Sequence, residues 1–563
     1  MSSSTTPTIP VPDGFRLHTE NNAHILMSEN EAFLNPVQEF NRDLSVACIR
    51  TWSSELNKTK QERKAQAQEK RALKDQDGSA RKRQKGINAI TVESESEEPA
   101  KLKFDYKITI LEALSATGLR SIRYAKEIPL VKYVLANDLS STAVAAMKRN
   151  VDLNGLGPKT KAENEGSVKL ETPGLGNGKV RVNEGDACVF MYSHRTDKVD
   201  VVDLDPYGTA APFIDAAVQA VKDEGLLCVT CTDVSILATN NYPEKCFSNY
   251  GGLPMKAEYS HEAVRILVVN ALSSTETVAQ GLRLVLHAVS TSASRYGRYI
   301  EPLLSLSIDF YVRLFIRVNS SPFQVKKALT KTSTYFICTS CQSFYDQPLG
   351  RVVEKKGAND NVNLVFKTQP GPPVGSKCPE CDSNLHLAGP MWSGPIHDTA
   401  FVSKILQHTE ACMDQYGTAT RMQGMLTVAK EELHAPFYFT PTKVASFFHC
   451  QTPSLDDTAS ALLHAGHQVS RSHAIPGSLK TTASSQDIMD VFRSWVKTHP
   501  IKNVSETSPA LRLLAKEPRT EANFEKHPGC STLSSKVKIT RYQETPANWG
   551  PGSKPGNNKR KRT

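Results

Sequence analysis

Between about Lys101 and Asp233, apolar runs of two different periods alternate along the chain. "KITILEAL" is short and β-branched and reads as a strand; "GLRSIRYAKEI" has helical spacing. The pattern continues with the strand "VKYVLAND", the helix "STAVAAMKRNVDLNG" and the short strand "KVRVNEGDA". Then come the strand "VDVVDLDPYG", the helix "PFIDAAVQAVKDEG" and the strand "LLCVTCTDV". Alternation of this kind predicts a doubly wound α/β fold with a parallel sheet, whose ligands sit at the carboxyl ends of the strands. "FYVRLFIRV", Phe310 to Val318, begins a different texture, followed by two cysteine pairs and many short helices. These changes divide the chain into a domain over 1–307 and an α+β domain over 308–545, with the boundary near Ile308.

Composition narrows the class. With 563 residues the chain can build two or more cores. No run approaches the roughly 20 apolar residues of a membrane span, and the N-terminus lacks the apolar stretch of a secretory signal. A net charge of +10 suits a polyanionic partner. Without a secretory signal, the twelve cysteines read as thiols or metal ligands. Lys58 to Lys85 is basic and poor in large apolar residues, and "ESESEE" follows at Glu93 to Glu98. We expect a charged, disordered insertion over 58–100 and a basic, disordered tail over 546–563. The clusters "RKRQK" and Lys559 to Arg562 make the nucleus the expected compartment.

Chemistry concentrates at the strand ends. "LEALSATGLRS" has one glycine where a dinucleotide fingerprint has three, yet Ser115, Ala116 and Gly118 keep the loop small. The second strand ends at Asp138, placed to accept from ribose hydroxyls. The third ends at Asp186, where a carboxylate can accept from an adenine amine, and the fourth at Asp205. Each acid alone reads as a cap or turn residue; as a set they form the pattern of an S-adenosylmethionine methyltransferase. "DPYG" fits the same chemistry. The lone pair of an exocyclic amine on a base is delocalised into the ring. A carboxylate and a rigid proline carbonyl that accept its hydrogens favour pyramidalisation, and a neighbouring aromatic can pack on the base. The stretch resembles the [DN]-P-P-[YFW] motif of amino-methylating nucleic acid enzymes, departing at Tyr207.

Upstream, "SENEAFLNPVQEFNRDLSV" carries Phe33 and Asn41 to Asp43. With "SATGLRSIR", "ANDLS", "EGDA", "DLDPYG", "CTDVSILATN", "YGGLPMKAEYSHEAVRIL" and "PFYFTPTKVASFFHCQTPSL", the chain is similar to the tRNA guanine-26 N2-dimethyltransferase family, in its eukaryotic, fungal-like form. The resemblance runs from about Gly14 to Asn548, outside the charged insertion. It implies a class I S-adenosylmethionine methyltransferase domain followed by a family-specific C-terminal domain that grips tRNA. It implies that Arg42 and Arg120 contact the cofactor around its carboxylate, that Asp138 holds the ribose, and that Asp186 and Ala187 hold the adenine. Asp205 would act at guanine N2 with the Pro206 carbonyl, and Phe33 would stack on a flipped-out guanine. The family's "F-Y-N-P" is "F-L-N-P" here, with Leu34. Whether Asp205 takes a proton or only orients the amine stays open.

Cys338, Cys341, Cys378 and Cys381 form C-x2-C…C-x2-C, a set of four thiolates that suits tetrahedral structural zinc. Residues 342–377 exceed the spacing of a compact zinc ribbon, so a loop is expected between the pairs. Cys228 and Cys231 share the spacing but lie in a strand, on opposite faces. His464 and His467 lack accompanying ligands. Two other functions fit parts of the pattern: methylation of another nucleic acid amine, and an inactive zinc-containing RNA-binding scaffold. The intact Asp138, Asp186 and Asp205 argue against the scaffold.

Overall fold

The alternating runs close into one seven-stranded sheet. The computed structural model describes residues 9–28, 34–83, 105–158, 177–237, 241–255, 281–308, 311–356, 361–501 and 504–537. A hairpin of β1 (Arg16–Glu20) and β2 (Ala23–Met27) precedes α1 (Glu39–Arg83). Then follow β3 (Ile108–Glu112), α2 (Leu119–Glu127), β4 (Val131–Asp138), α3 (Ser141–Leu153) and β5 (Val180–Glu184). Next come α4 (Ala187–Ser193), β6 (Val199–Leu204), α5 (Ala211–Ala220), β7 (Val221–Cys231), α6 (Val234–Leu237), α7 (Pro243–Tyr250) and α8 (Gly281–Arg295). β8 (Arg298–Ile308) and β9 (Tyr311–Ser320) complete the sheet, in the order β5-β4-β3-β6-β7-β9-β8. β3 to β7 run parallel, and β9 lies antiparallel to both β7 and β8. Every residue of β3 and β6 is buried, as expected of strands covered on both faces.

Three expectations need correction. The sheet does not end at Ile308: β9 pairs Val312 with Cys231 and Val318 with Gly225, so it belongs to the first domain's sheet. The strand carries a fully buried charge, Arg313, in the middle of its apolar run. Nor does disorder begin at Lys58. α1 runs unbroken for 45 residues through Arg83, about 65–70 Å of helix. Lys60 and Arg63 fasten it to Glu224 in β7 at 3.0 and 2.6 Å, which holds the Glu224 carboxyl down to about 2. Residues 84–104 and the tail over 546–563 lie outside the described residues. Finally, the span between the cysteine pairs contains strands Phe344–Pro348, Gly350–Lys356 and Val362–Thr368 as well as loop.

The C-terminal half packs on both faces of the sheet. Phe401, Ile405, Met422 and Leu426 share a core with Ile49, Trp52 and Ile110. Tyr335, Trp392 and Phe437 share the other core with Val202, Leu227 and Val285. Cys228 and Cys231 fall in different cores, on opposite faces as the strand period requires.

An edge strand presents unpaired backbone groups that must be covered. β8 is such an edge, and the C-terminal half covers it with side chains. The Leu303 carbonyl accepts from the Asp398 N–H at 3.0 Å. The Ser305 N–H donates to His397 Nδ1 at 3.4 Å, and the Ser307 N–H to His473 Nε2 at 3.1 Å. Both rings turn their other nitrogen to Glu432, at 3.4 Å from His397 and 2.5 Å from His473, and Lys480 reaches the same carboxylate at 2.9 Å. His397, Glu432 and His473 have the proximity of metal ligands. One nitrogen of each ring is engaged by the β8 backbone, the other faces Glu432, and an ammonium already balances that acid, so the group is a clasp between the two halves.

Burial pushes His397 down to about 4. Its unfolded form therefore takes up a proton below the ordinary value of 6.5 while the folded form does not. The stabilisation is complete above about pH 6.5 and is lost as pH falls towards 4, by up to about 3 kcal/mol. Unfolding in urea at pH 5 and pH 7.5 is expected to show this loss. His397→Asn is expected to be less stable at pH 7.5 but with a flatter profile; an unchanged slope would contradict the assignment.

Candidate active site

The strand order reverses at β3 and β6, which opens a crevice beyond their carboxyl ends. Residues after β3, β4, β5 and β6 line it. Gly118 caps α2 at φ 78°, and a methyl there would come within 2.7 Å of Met147 Cγ. Only glycine lets the loop turn so close to α3. Asn137, fully buried, donates to the carbonyls of Ala113 and Gly185, both at 3.0 Å, and so fixes the loops after β3 and β5 to the end of β4.

Asp138 ends β4 and accepts from the N–H groups of Ala116 and Ser140, each at 2.9 Å. Each carboxylate oxygen has one backbone partner and keeps acceptor capacity for a ligand. Asp186 caps α4, accepting from the Val189 N–H at 2.9 Å, and Ala187 is buried beneath it. These acids stand at adjacent strand ends on one rim of the sheet, as the sequence pattern predicts.

Asp205, just past β6, is paired through Oδ2 with Arg120 of α2. Arg120 is almost fully buried, and its other partners are Ser45 Oγ at 3.1 Å, Glu112 at 3.6 Å and Asp203 at 3.8 Å. Asp203 is wholly buried and accepts from Arg313 at 2.7 and 3.1 Å and from the Tyr124 hydroxyl at 2.5 Å. Burial alone would raise the Asp203 carboxyl, but Arg313 and Arg120 pull it below the usual range. Burial pushes Glu112 up to about 8, so it is neutral at pH 7 and its contact with Ser121 is a neutral hydrogen bond. That leaves two carboxylates, Asp203 and Asp205, against two guanidiniums, Arg120 and Arg313.

The "DPYG" turn is stitched to the end of β7. The Gly208 N–H donates to Thr232 Oγ1 at 2.7 Å, and the Thr232 N–H returns a bond to the Gly208 carbonyl at 2.8 Å. Gly208 takes φ 93°, which a side chain would oppose. Tyr250, buried on α7, brings its hydroxyl to within 2.6 Å of Thr209 Oγ1 and donates to Asp233 at 2.8 Å. Pro206 is buried, whereas the ring of Tyr207 is 78% exposed.

Arg42, the other expected cofactor contact, is buried in the first turns of α1. It pairs with Glu20 at 2.7 Å through Nε and lies 3.4 Å from the Asn35 carbonyl. Phe33 lies outside the described residues. Sequence reasoning missed Ser45, Asp203, Tyr250, Asp233 and Arg313. The legible signal was an acid and an arginine inside otherwise apolar runs, Asp203 in "VDVVDL" and Arg313 in "FYVRLFIRV".

The four cysteines come together as expected. Cys338 and Cys381 sulfurs are 3.4 Å apart, Cys341 and Cys378 are 3.6 Å apart, and all four lie within 4.8 Å of one another, buried. These separations match four thiolates around one tetrahedral ion with bonds of about 2.3 Å. The two knuckles repeat each other's geometry. The Cys338 and Cys378 N–H groups donate to the Ser343 and Ser383 carbonyls, each at 2.9 Å, and positive φ falls at Gln342 and Asp382. His464 and His467 find separate partners, Glu525 and Asp487.

The family model for N2,N2-dimethylguanosine tRNA methyltransferases matches residues 14–493. The chain is 42% identical over 551 residues to the tRNA (guanine(26)-N(2))-dimethyltransferase of Schizosaccharomyces pombe, covering 96% of this chain and 92% of that protein. It is 38% identical to the Homo sapiens protein of the same name, covering 93% of this chain and 75% of the human one. Among solved structures it resembles Trm1 from Pyrococcus horikoshii in complex with S-adenosyl-L-methionine. There the TM-score is 0.57 at 23% identity, over 84% of this chain and 98% of the other, a likeness of fold.

Removing one partner of a buried ion pair leaves the other charge uncompensated, at about 3–5 kcal/mol. Arg120→Met is expected to lose stability on that scale in urea unfolding, because Asp205 and Asp203 both lose a counter-charge. A loss below about 1 kcal/mol would show that the network does not depend on Arg120.

Proposed function

The chain belongs to the N2,N2-dimethylguanosine tRNA methyltransferase family, and from that premise we propose which of its side chains carry the reaction. It transfers methyl groups from S-adenosylmethionine to the exocyclic N2 of guanine 26 in tRNA, giving N2-methyl- and then N2,N2-dimethylguanosine. The observation that carries the residue reading is the carboxylate of Asp205. It is fixed by buried Arg120 at the switch point of the sheet, on the same rim as Asp138 and Asp186.

S-adenosylmethionine supplies an electrophilic methyl group on a sulfonium. Asp138, with acceptor capacity left on each oxygen, holds the ribose hydroxyls. Asp186 and the backbone at Ala187 hold the adenine. Arg42 and Arg120 form the basic side of the pocket, around the amino acid carboxylate. Asp205 and the Pro206 carbonyl accept the two N2 hydrogens and turn the nitrogen lone pair towards the methyl. One Asp205 oxygen is already engaged by Arg120, which supports a fixed acceptor that orients the amine. Each transfer would release one N2 proton, to the free oxygen of Asp205 or to solvent, and the second would proceed with a single N2 hydrogen left for the two acceptors. Thr232, Tyr250 and Asp233 hold the turn that carries Asp205 and Pro206. Phe33 stacks on the flipped guanine. The four buried cysteines hold one structural zinc, and the C-terminal half that follows β9, to about residue 545, grips tRNA through shape and phosphates. The basic clusters at 81–85 and 559–562 support a nuclear destination.

Mass spectrometry of nucleosides from tRNA incubated with the purified protein tests the reading directly. Asp205→Ala is expected to abolish N2-methylguanosine formation while cofactor affinity survives. Asp205→Asn keeps an acceptor oxygen without the charge. If orientation is its role, Asn is expected to retain measurable turnover, and a complete loss equal to that of Ala would assign Asp205 as the base.

Metal analysis is expected to find about one zinc per chain. Cys341→Ser is expected to weaken tRNA binding before it affects cofactor binding. A metal-free preparation with full activity would remove zinc from the account.

A further inference from the structure

Between the two cysteine pairs, a ribbon of two antiparallel strands, Gly350–Lys356 and Val362–Thr368, stands apart from the larger sheets. Its register pairs Arg351 with Lys367, Val353 with Val365 and Lys355 with Asn363. Since alternate residues share a face, Arg351, Lys367 and Lys355 lie together on one side. Like charges directly opposite each other destabilise a strand pair. Here two cations face each other, a third lies four residues along the same strand, and none of the three forms an ion pair among the described residues. All three are exposed. A free-standing protein gains nothing from that arrangement; a polyanion laid across it removes the repulsion.

The ribbon is held rigidly at its base. Phe366 packs edge-on against Phe323 of the helix Pro322–Ala328, with ring centres 5.9 Å apart. Gly350 fits against Leu329 so closely that a methyl would come within 2.4 Å of its Cγ. The same helix adds Lys326 and Lys327, the latter 4.9 Å from the centre of the Phe323 ring. Residues 322–331 and 350–368 together carry seven lysines and arginines against Glu354 and Asp360, a net +5 within a chain of net +10. Half the molecule's excess charge thus falls in two short segments joined by an aromatic contact.

We propose that this face of the ribbon, with the helix beneath it, is a docking surface for the phosphate backbone of the tRNA substrate. The proposal rests on the tRNA methyltransferase reading and assigns a specific surface to substrate capture, away from the residues that handle the base and the cofactor. Three phosphate contacts release about three condensed counterions. Removing them is expected to lower the slope of log affinity against log salt by about 2–3.

The test is the triple variant Arg351→Ala, Lys355→Ala, Lys367→Ala in the full chain. Filter binding to tRNA between 50 and 200 mM salt reads the slope, and steady-state methylation reads KM and kcat. The expected result is the shallower slope, a KM for tRNA raised at least tenfold, unchanged kcat at saturating tRNA, unchanged cofactor affinity and a melting temperature no lower than that of the parent. Lys326→Ala with Lys327→Ala gives a second variant outside the ribbon, expected to lower the slope by about one to two. An unchanged slope and KM in both variants would overturn the proposal and leave the surface to another partner, such as an acidic protein. A lower kcat with unchanged tRNA affinity would overturn it as well. If the parent protein binds tRNA with the ribbon-dependent slope but makes no methylated guanosine, the functional reading fails and the surface stands.

Discussion

Charge buried at the centre of a sheet has to be neutralised where it stands, and Asp203 is such a charge. Its carboxylate sits in a fully buried strand, answered by Arg313 from an antiparallel neighbour two strands away and by Arg120 from a helix. Arg120 in turn answers Asp205, so the acid at the mouth of the pocket takes its position from a pairing inside the core. The parallel strands, the antiparallel extension and the turn after β6 are therefore parts of one electrostatic arrangement. Glu112 joins it as a neutral acid, which keeps the charges balanced without a third cation.

The first turns of α1 tie this arrangement to the rest of the molecule. Asn41 lies 3.5 Å from Thr230 of β7, Arg42 pairs with Glu20 of the hairpin, and Asp43 joins Arg123 of α2 to Thr418 of the C-terminal half. Ser45 bridges Arg120 and Arg313. Successive helical residues point about 100° apart, so a short buried helical stretch can reach several different elements. A tripeptide that reads locally as the start of a helix is thus a hub, and its partners are scattered from residue 20 to residue 418.

That scatter explains what was legible in the sequence and what was not. The strands from Ile108 to Cys231 and the acids at their ends were readable, because period, β-branching and a terminal carboxylate are local properties. The four cysteines were readable because two adjacent pairs impose their own spacing. Arg313 was visible as a charge inside an apolar run, but its role was not, because its partner Asp203 stands more than a hundred residues earlier. The clasp of His397, Glu432, His473 and Lys480 was invisible for the same reason, since each member is unremarkable in its own stretch. Helix α1 ran on past Lys58 because its polar positions cost little in a solvent-facing helix, and Glu224 gave Lys60 and Arg63 a place to hold.

The sealing of β8 also fixes an order of events during synthesis. The strand is complete at Ile308, but the imidazole that satisfies the Ser307 N–H belongs to a residue 166 positions later. At about 5–20 residues per second, a nascent chain carries that open edge for roughly 10–30 seconds before the covering segment is made. The sheet is thus most prone to pairing with another copy while it is still tethered to the ribosome. A chain truncated after the sheet would keep that vulnerability permanently.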